Sequence, residues 1–147
     1  MYTPSKDWNP KQSRLREIIN DPTHFDEAIE LCLSLHAFVH LSHISGSKQR
    51  TLADMVYEDL NENDYSVMPG IKDVTIAWNI WHVARIEDIT MNLLVNAGSQ
   101  VLDERWQQRL NTSFTDTGNA MTDDEIISLS KELDKGALWD YRTAVAT

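Results

Sequence analysis

Three histidines, His36, His40 and His43, follow one another at intervals of four and three residues. On a helix that spacing sets imidazoles on successive turns, where two can bind one metal ion. A fourth, His82, stands inside another apolar run. It reads either as a core imidazole bonded to a neighbour or as a ligand or acid–base group, and pattern alone leaves both open. The plainer reading of the trio is that only one or two point inward, the others lying at a wet end of the fold with Ser42 and Ser45. Arg85 and Asp88, one and two turns beyond His82, could orient ligands or bind an anionic substrate. Arg85 could equally form a structural ion pair with Asp88 or Glu87. Cys32 precedes His36 by one turn and could mimic a thiol–imidazole pair, but a cysteine in an apolar helical run is more often inert, and it is expected as a small buried residue.

The elements that must position these groups read as helices. Residues 73–98 run without Pro or Gly until Gly98, with Asp73 placed to cap the start and Gly98 to end it. At about 1.5 Å per residue this is a rod of roughly 36 Å. Winding it at about 100° per residue sets Trp78, His82, Ile86, Ile89 and Leu93 along one line. Ile80, Val83, Ala84, Met91 and Leu94 form a second apolar face, and Arg85, Asp88, Asn92 and Asn96 a polar ridge. A second long helix is predicted over 22–44, ending near Gly46, with Phe25, Ile29, Cys32, Leu33 and the three histidines sharing a face.

Residues 1–20, with Pro4 and Pro10, read as an extended arm leading to a short turn of helix, and 21–147 as one helical domain. Thr51 with Asp54 resembles a capping box, followed by a short helix to about Leu60. A further short helix is predicted over 101–110. Thr122 with Glu125 fits the capping box fully, opening a helix stopped near Gly136, after which Leu138, Tyr141 and Val145 mark one side of another. No strand pattern, internal repeat or low-complexity tract is present, so the fold class is all-α.

The chain has 147 residues, 13 Lys plus Arg against 23 Asp plus Glu, and a net charge of −10. That balance excludes a phosphate-tracking surface, so nucleic acid is not an expected partner. No run is apolar enough to span a bilayer, no membrane partner is expected, and the start lacks the apolar centre of a signal peptide, so a cytoplasmic location is the expectation. A phosphate-binding Gly-rich loop, a Gly-x-Ser-x-Gly elbow, His-Glu-x-x-His and Cys-x-x-Cys are all missing. Asn111-Thr112-Ser113 matches a glycosylation sequon and is read as chance.

The segments LHAFVHLSHISGS (35–47), TIAWNIWHVARIEDITMNLLV (75–95) and DTGNAMTDDEI (116–126), in that order and spacing, resemble the DinB/YfiT-type superfamily. The resemblance covers about 25–145. It implies an antiparallel, up-and-down four-helix bundle with a long crossover, and a divalent metal, nickel or zinc, held by three histidines. It places one ligand at His82. Many members draw the other two from a His-x-x-x-His pair on the fourth helix, but no histidine follows His82 here and the chain stops in what would be the third helix. His36 and His40 are the substitutes, with His43 after them. The activity so implied is that of a metal-dependent transferase or hydrolase, thiol-dependent in some relatives, acting on a small-molecule substrate, with Arg85 and Asp88 as substrate-binding candidates. The competing expectation is a non-catalytic bundle kept for dimerisation or partner binding. With a helix absent, an apolar groove would lie open, and a homodimer covering it is expected.

Overall fold

Helix starts in this chain are written in short polar side chains. Thr122 accepts the Glu125 N–H while the Glu125 carboxylate accepts the Thr122 N–H at 2.8 Å, closing the predicted capping box. Thr51 and Asp54 close another, with aspartate standing in for the usual longer acid. Both satisfy N–H groups that a helix start otherwise leaves without partners. The computed structural model describes residues 3–147, and among them only helices, turns and loops occur, in keeping with an all-α class. The chain divides into two compact units, Met1–Asp59 and Leu60–Thr147.

In the first unit the expected extended arm is helical. A π-helical turn over Pro4–Trp8 leads into α1 (Asn9–Ile18). Pro4 and Pro10 each fall in a first helical turn, where a missing N–H costs nothing, so they start helices rather than break them. A 3-10 turn, Pro22–His24, capped by Asp21, precedes α2 (Phe25–Val39). Arg14 of α1 grips Glu27 of α2 with two hydrogen bonds, of 2.7 and 2.9 Å. Lys11 reaches Ser34 at 2.5 Å and lies over the Phe38 ring.

The helix predicted over 22–44 is interrupted. His40 is extended (φ −101°, ψ 156°), which ends α2 at Val39, and a single turn, α3 (Ser42–Ser45), follows to Gly46 at φ 65°. Asp54, in α4 (Leu52–Tyr57), uses its second oxygen to accept the Ser42 N–H, 3.0 Å away, and so ties α4 to the start of α3.

The second unit is built on α5 (Ile76–Glu87), which continues as a wider π-helix over Asp88–Val95. Thr75, not Asp73, caps α5 by accepting the Trp78 N–H, because Thr75 is itself anchored. Its hydroxyl meets that of Ser130 at 2.5 Å, and Ser130 donates to the Ile126 carbonyl, leaving Thr75 as the donor between the two. The rod ends with Ala97, not Gly98, in the left-handed region. Then come α6 (Glu104–Leu110), α7 (Asp123–Glu132) and α8 (Lys135–Ala146). Gly136 does not stop α7; Asp134 caps α8 and places Gly136 in its first turn.

Packing of α5 against α8, α7 and the Asp64–Ser66 turn forms the core of this unit. Its inward seam is Ala77, Trp81, Ala84 and Asp88, spaced four, three and four, all fully buried. The two alanines allow close approach, while Leu138, Tyr141 and Val145 are the buried side of α8, as their spacing suggested. The apolar line drawn through Trp78 and His82 is not the buried face, since Ile86 is 42% and Leu93 36% exposed.

Thr122→Ala removes the acceptor of the Thr122–Glu125 capping box. It is expected to lower unfolding stability by about 1 kcal/mol in urea titrations.

Candidate functional site

Arg85 and Asp88 read as a polar ridge from sequence, yet both are buried, at 1% and 0% exposure. Burial of charge is tolerated only where every donor and acceptor finds a partner. Five donors converge on Asp88. Arg85 Nη1 and the Tyr141 hydroxyl donate to Oδ2 at 2.9 and 2.8 Å, joined by the Leu102 N–H at 3.0 Å. The Asn92 amide and the Val101 N–H reach Oδ1 at 2.9 and 2.8 Å. Arg85 in turn donates from Nε and Nη2 to the Thr115 carbonyl, at 3.0 and 2.6 Å, from Nη2 to Gln100, and from Nη1 to Tyr141.

The network ties α5 and α8 to two loops, around 100–102 and at Thr115. A second, partly buried pair, Arg142 with Glu87, ties α8 to α5. Burial opposes the charge on Asp88, but the bonds from Val101, Asn92, Leu102 and Tyr141 outweigh it and hold the carboxyl below the usual carboxylate range. Burial also pushes the Tyr141 phenol up, Arg85 working against that shift and Asp88 with it. What Arg85 and Asp88 do chemically here is position loops.

His82 is set by the same loop system. Its Nδ1 lies 2.7 Å from the Thr117 carbonyl, which can only accept, so Nδ1 carries the proton and neutral His82 presents a bare Nε2. The ring stacks on Trp78 at 4.5 Å between centroids and 10° between planes. Gly118 follows Thr117 at φ 79°, and a Cβ there would lie 2.7 Å from the Trp78 indole nitrogen. Only glycine therefore lets the loop bring its carbonyl to His82. A metal-ligating imidazole commonly has its second nitrogen fixed in this way.

In the first unit, His36 and His40 face each other, Nε2 to Nε2, at 2.9 Å. Two nitrogens sharing one tetrahedral ion at the usual bond length would stand about 3.3 Å apart, so a small opening of the pair admits a metal. His36 is exposed and His40 buried. His43 lies past the break, on α3. Cys32, expected to be buried, is exposed, because the inward side of α2 is marked by Leu35.

The structure thus joins His36 with His40 in one unit, and Arg85 with Asp88 in the other. The loop carbonyls of Thr115 and Thr117, and Gln100, were invisible to sequence reasoning, since backbone acceptors leave no residue-type signal. Tyr141 was legible only as one member of an apolar face. A cleft of about 600 Å³ lined by Glu104, Gln107, Gln108, Asn111, Thr112 and Ser113 contains none of the candidate residues.

Fold and site together give, among the described residues, a helical chain with a buried network around Arg85 and Asp88, a His36–His40 pair in the first unit and an oriented His82 in the second. No protein-family model matches the chain, and neither a curated protein nor a solved structure matches it.

Asp88→Asn leaves Arg85 buried without a counter-charge and is expected to cost about 3–5 kcal/mol at pH 7. Because the folded pKa of Asp88 is depressed, its contribution is complete above the ordinary aspartate value of about 3.9 and is lost as pH falls through the lower folded value. Stability measured from pH 7 down to 2 should therefore fall more steeply at the acid end in the wild type than in the variant. Gly118→Ala, strained in φ and crowding the Trp78 indole, is expected to cost about 1–3 kcal/mol and to alter tryptophan emission.

Proposed function

We propose that this chain binds a divalent transition metal, nickel or zinc, as a metal-dependent enzyme of the DinB/YfiT type, a transferase or hydrolase of a small-molecule substrate. The observation that carries the reading is the His36–His40 pair, whose Nε2 atoms lie 2.9 Å apart one helical turn from each other. Borderline metals of this kind favour imidazole nitrogen. In the second unit His82, oriented by the Thr117 carbonyl and offering Nε2, is a separate proposed ligand, and in the first His43 ranks behind His36 and His40. The metal would supply Lewis-acid activation of a substrate or of a nucleophile. The residues' own part is to fix ring orientation and tautomer.

The resemblance in the 75–95 segment supports the family reading, and the all-helical architecture agrees with it at the level of class. The bundle topology is part of the proposal. No helix among the described residues is long and apolar enough to cross a membrane. We take the working form to be a homodimer in the cytoplasm, where a lone thiol such as Cys32 stays reduced.

One observation favours the second reading, a non-catalytic helical scaffold. Arg85 and Asp88, the substrate-binding candidates, are buried and taken up by internal partners.

Titration of metal-free protein with nickel or zinc, followed by calorimetry, separates the two. Under the enzyme reading binding approaches one ion per chain, and His36→Ala/His40→Ala weakens it by more than about 100-fold, beyond the cost of losing an outer hydrogen-bond partner, with helicity unchanged. His82→Ala, read separately, tests whether the imidazole of the second unit takes up an ion of its own. Metal uptake far below one per chain, or unaffected by these substitutions, would leave the scaffold reading.

A further inference from the structure

The two units differ sharply in how much they bury. In Met1–Asp59 only three apolar side chains are buried among the described residues, Ile18, Leu35 and Ala53, against fourteen in Leu60–Thr147. Ile19, Phe25, Ile29, Leu33, Val39 and Val56 stay 42–64% exposed. The ion pair that joins α1 to α2, Arg14 with Glu27, has both side chains 41% exposed, and pairs in that setting add little. A unit of 59 residues is marginal even with a full core, and small scaffolds gain what they lack from disulfides or a structural metal. With one cysteine in the sequence, no internal disulfide can form.

What this unit does bury is an imidazole. His40 is 3% exposed and faces His36, which stands in the last turn of α2. His40 is also the residue at which α2 ends, two positions before Ser42. The Ser42 N–H donates to Asp54, and Asp54 closes the Thr51 cap, so the chain leaving His40 is tied to α4. The histidine pair therefore spans a join: one nitrogen belongs to α2, the other to the segment that carries α3 and holds α4.

We infer that the first unit is a metal-dependent fold. Ligation of a divalent ion by His36 and His40 orders α2, α3 and α4, with α1 packing on α2; without the ion this unit is unfolded while Leu60–Thr147 keeps its structure. The inference rests on the metal-binding reading above and gives that site a structural task. Both nitrogens are brought together only in the folded unit, so the free energy of ligation adds to folding. Two protein ligands leave coordination positions open, which keeps this task compatible with the activity proposed above.

Hydrogen exchange of the whole chain, read by mass spectrometry, tests this in chelator and with zinc at about 100 times the Kd measured by calorimetry. In chelator the amides of α2 and α4 should exchange within about tenfold of an unstructured chain, while those of α7 and α8 stay protected. Zinc should slow exchange in α2 and α4 by about 100-fold, the factor set by the ratio of free ion to Kd. His36→Ala/His40→Ala should remove that gain, with protection of α7 and α8 showing that the variant's second unit is folded. Zinc uptake by a wild type whose α2 is already as protected in chelator as α8 would overturn the metal-dependent fold and leave metal binding standing. No uptake would overturn both. Protection in chelator that grows when the chain is concentrated about tenfold would mean that a second copy, not an ion, completes the unit, and would overturn the inference. Zinc protection that survives in the double variant would overturn it too.

Discussion

The second unit depends on a fully buried carboxylate. An isolated charge moved from water into a protein interior costs several kcal/mol even after relaxation, so Asp88 can be charged in the core only because the chain delivers donors to both its oxygens. Those donors fix more than the charge. Val101 and Leu102 give it their backbone N–H groups, which sets the path of the chain after the π-helix. Arg85, held by the same carboxylate, captures the Thr115 carbonyl and thereby the loop that carries Thr117 and Gly118. The orientation of His82 is thus a consequence, two steps removed, of how Asp88 is satisfied. Apolar contact between α5 and α8 supplies most of the driving force, but such contact is tolerant of sliding. A set of directed bonds from one carboxylate is not, and it selects the register.

Much of this architecture was legible in residue types. The capping boxes at Thr51 and Thr122 and the all-helical class follow from local rules that tertiary contacts did not override. What failed was the choice of inward face. Periodicity reports that a helix has two sides but not which of them meets the core when both are apolar. On α5 the second apolar face rightly included Ile80 and Ala84, but Ala77 and Trp81, which complete the buried seam, were assigned to neither face. Arg85 and Asp88 were read as a polar ridge, with a structural ion pair as one alternative; the pair forms, but its full burial had no signal in residue type. Cys32 was read as buried because it stands in an apolar run. The break at His40 had no signal at all, since nothing in Val39-His40-Leu41 forbids a continuing helix. The prolines of the first twenty residues were misread through their reputation as breakers, when their positions in first turns made them initiators.

The two histidine arrangements differ in what is already decided. His82 has its tautomer fixed by a carbonyl and its ring fixed by Trp78, so nothing need rearrange for Nε2 to act as an acceptor. His36 and His40 satisfy each other. One Nε2 carries a proton that the other accepts, so an ion can take both nitrogens only when that proton leaves or moves to Nδ1. The first arrangement is prepared by a loop whose left-handed turn only glycine fills without strain, the second by placing two like groups one turn apart at a helix end. Candidate ligands were legible as residue types, while the preparation of each was not, because it is made by backbone groups and by the break that ends α2.

The wide sequence span of the Asp88 network bears on how the chain is made. Arg85 and Asn92 flank the carboxylate closely, but the Tyr141 hydroxyl belongs to a residue 53 positions later. At ordinary rates of translation, about 5–20 residues per second, Tyr141 is added roughly 3–10 s after Asp88. Throughout that interval the nascent α5 carries a hydrated carboxylate on the very seam that must become dry. Its alanine- and tryptophan-lined side cannot close early on the ribosome, and consolidation of this unit waits for α8 to emerge.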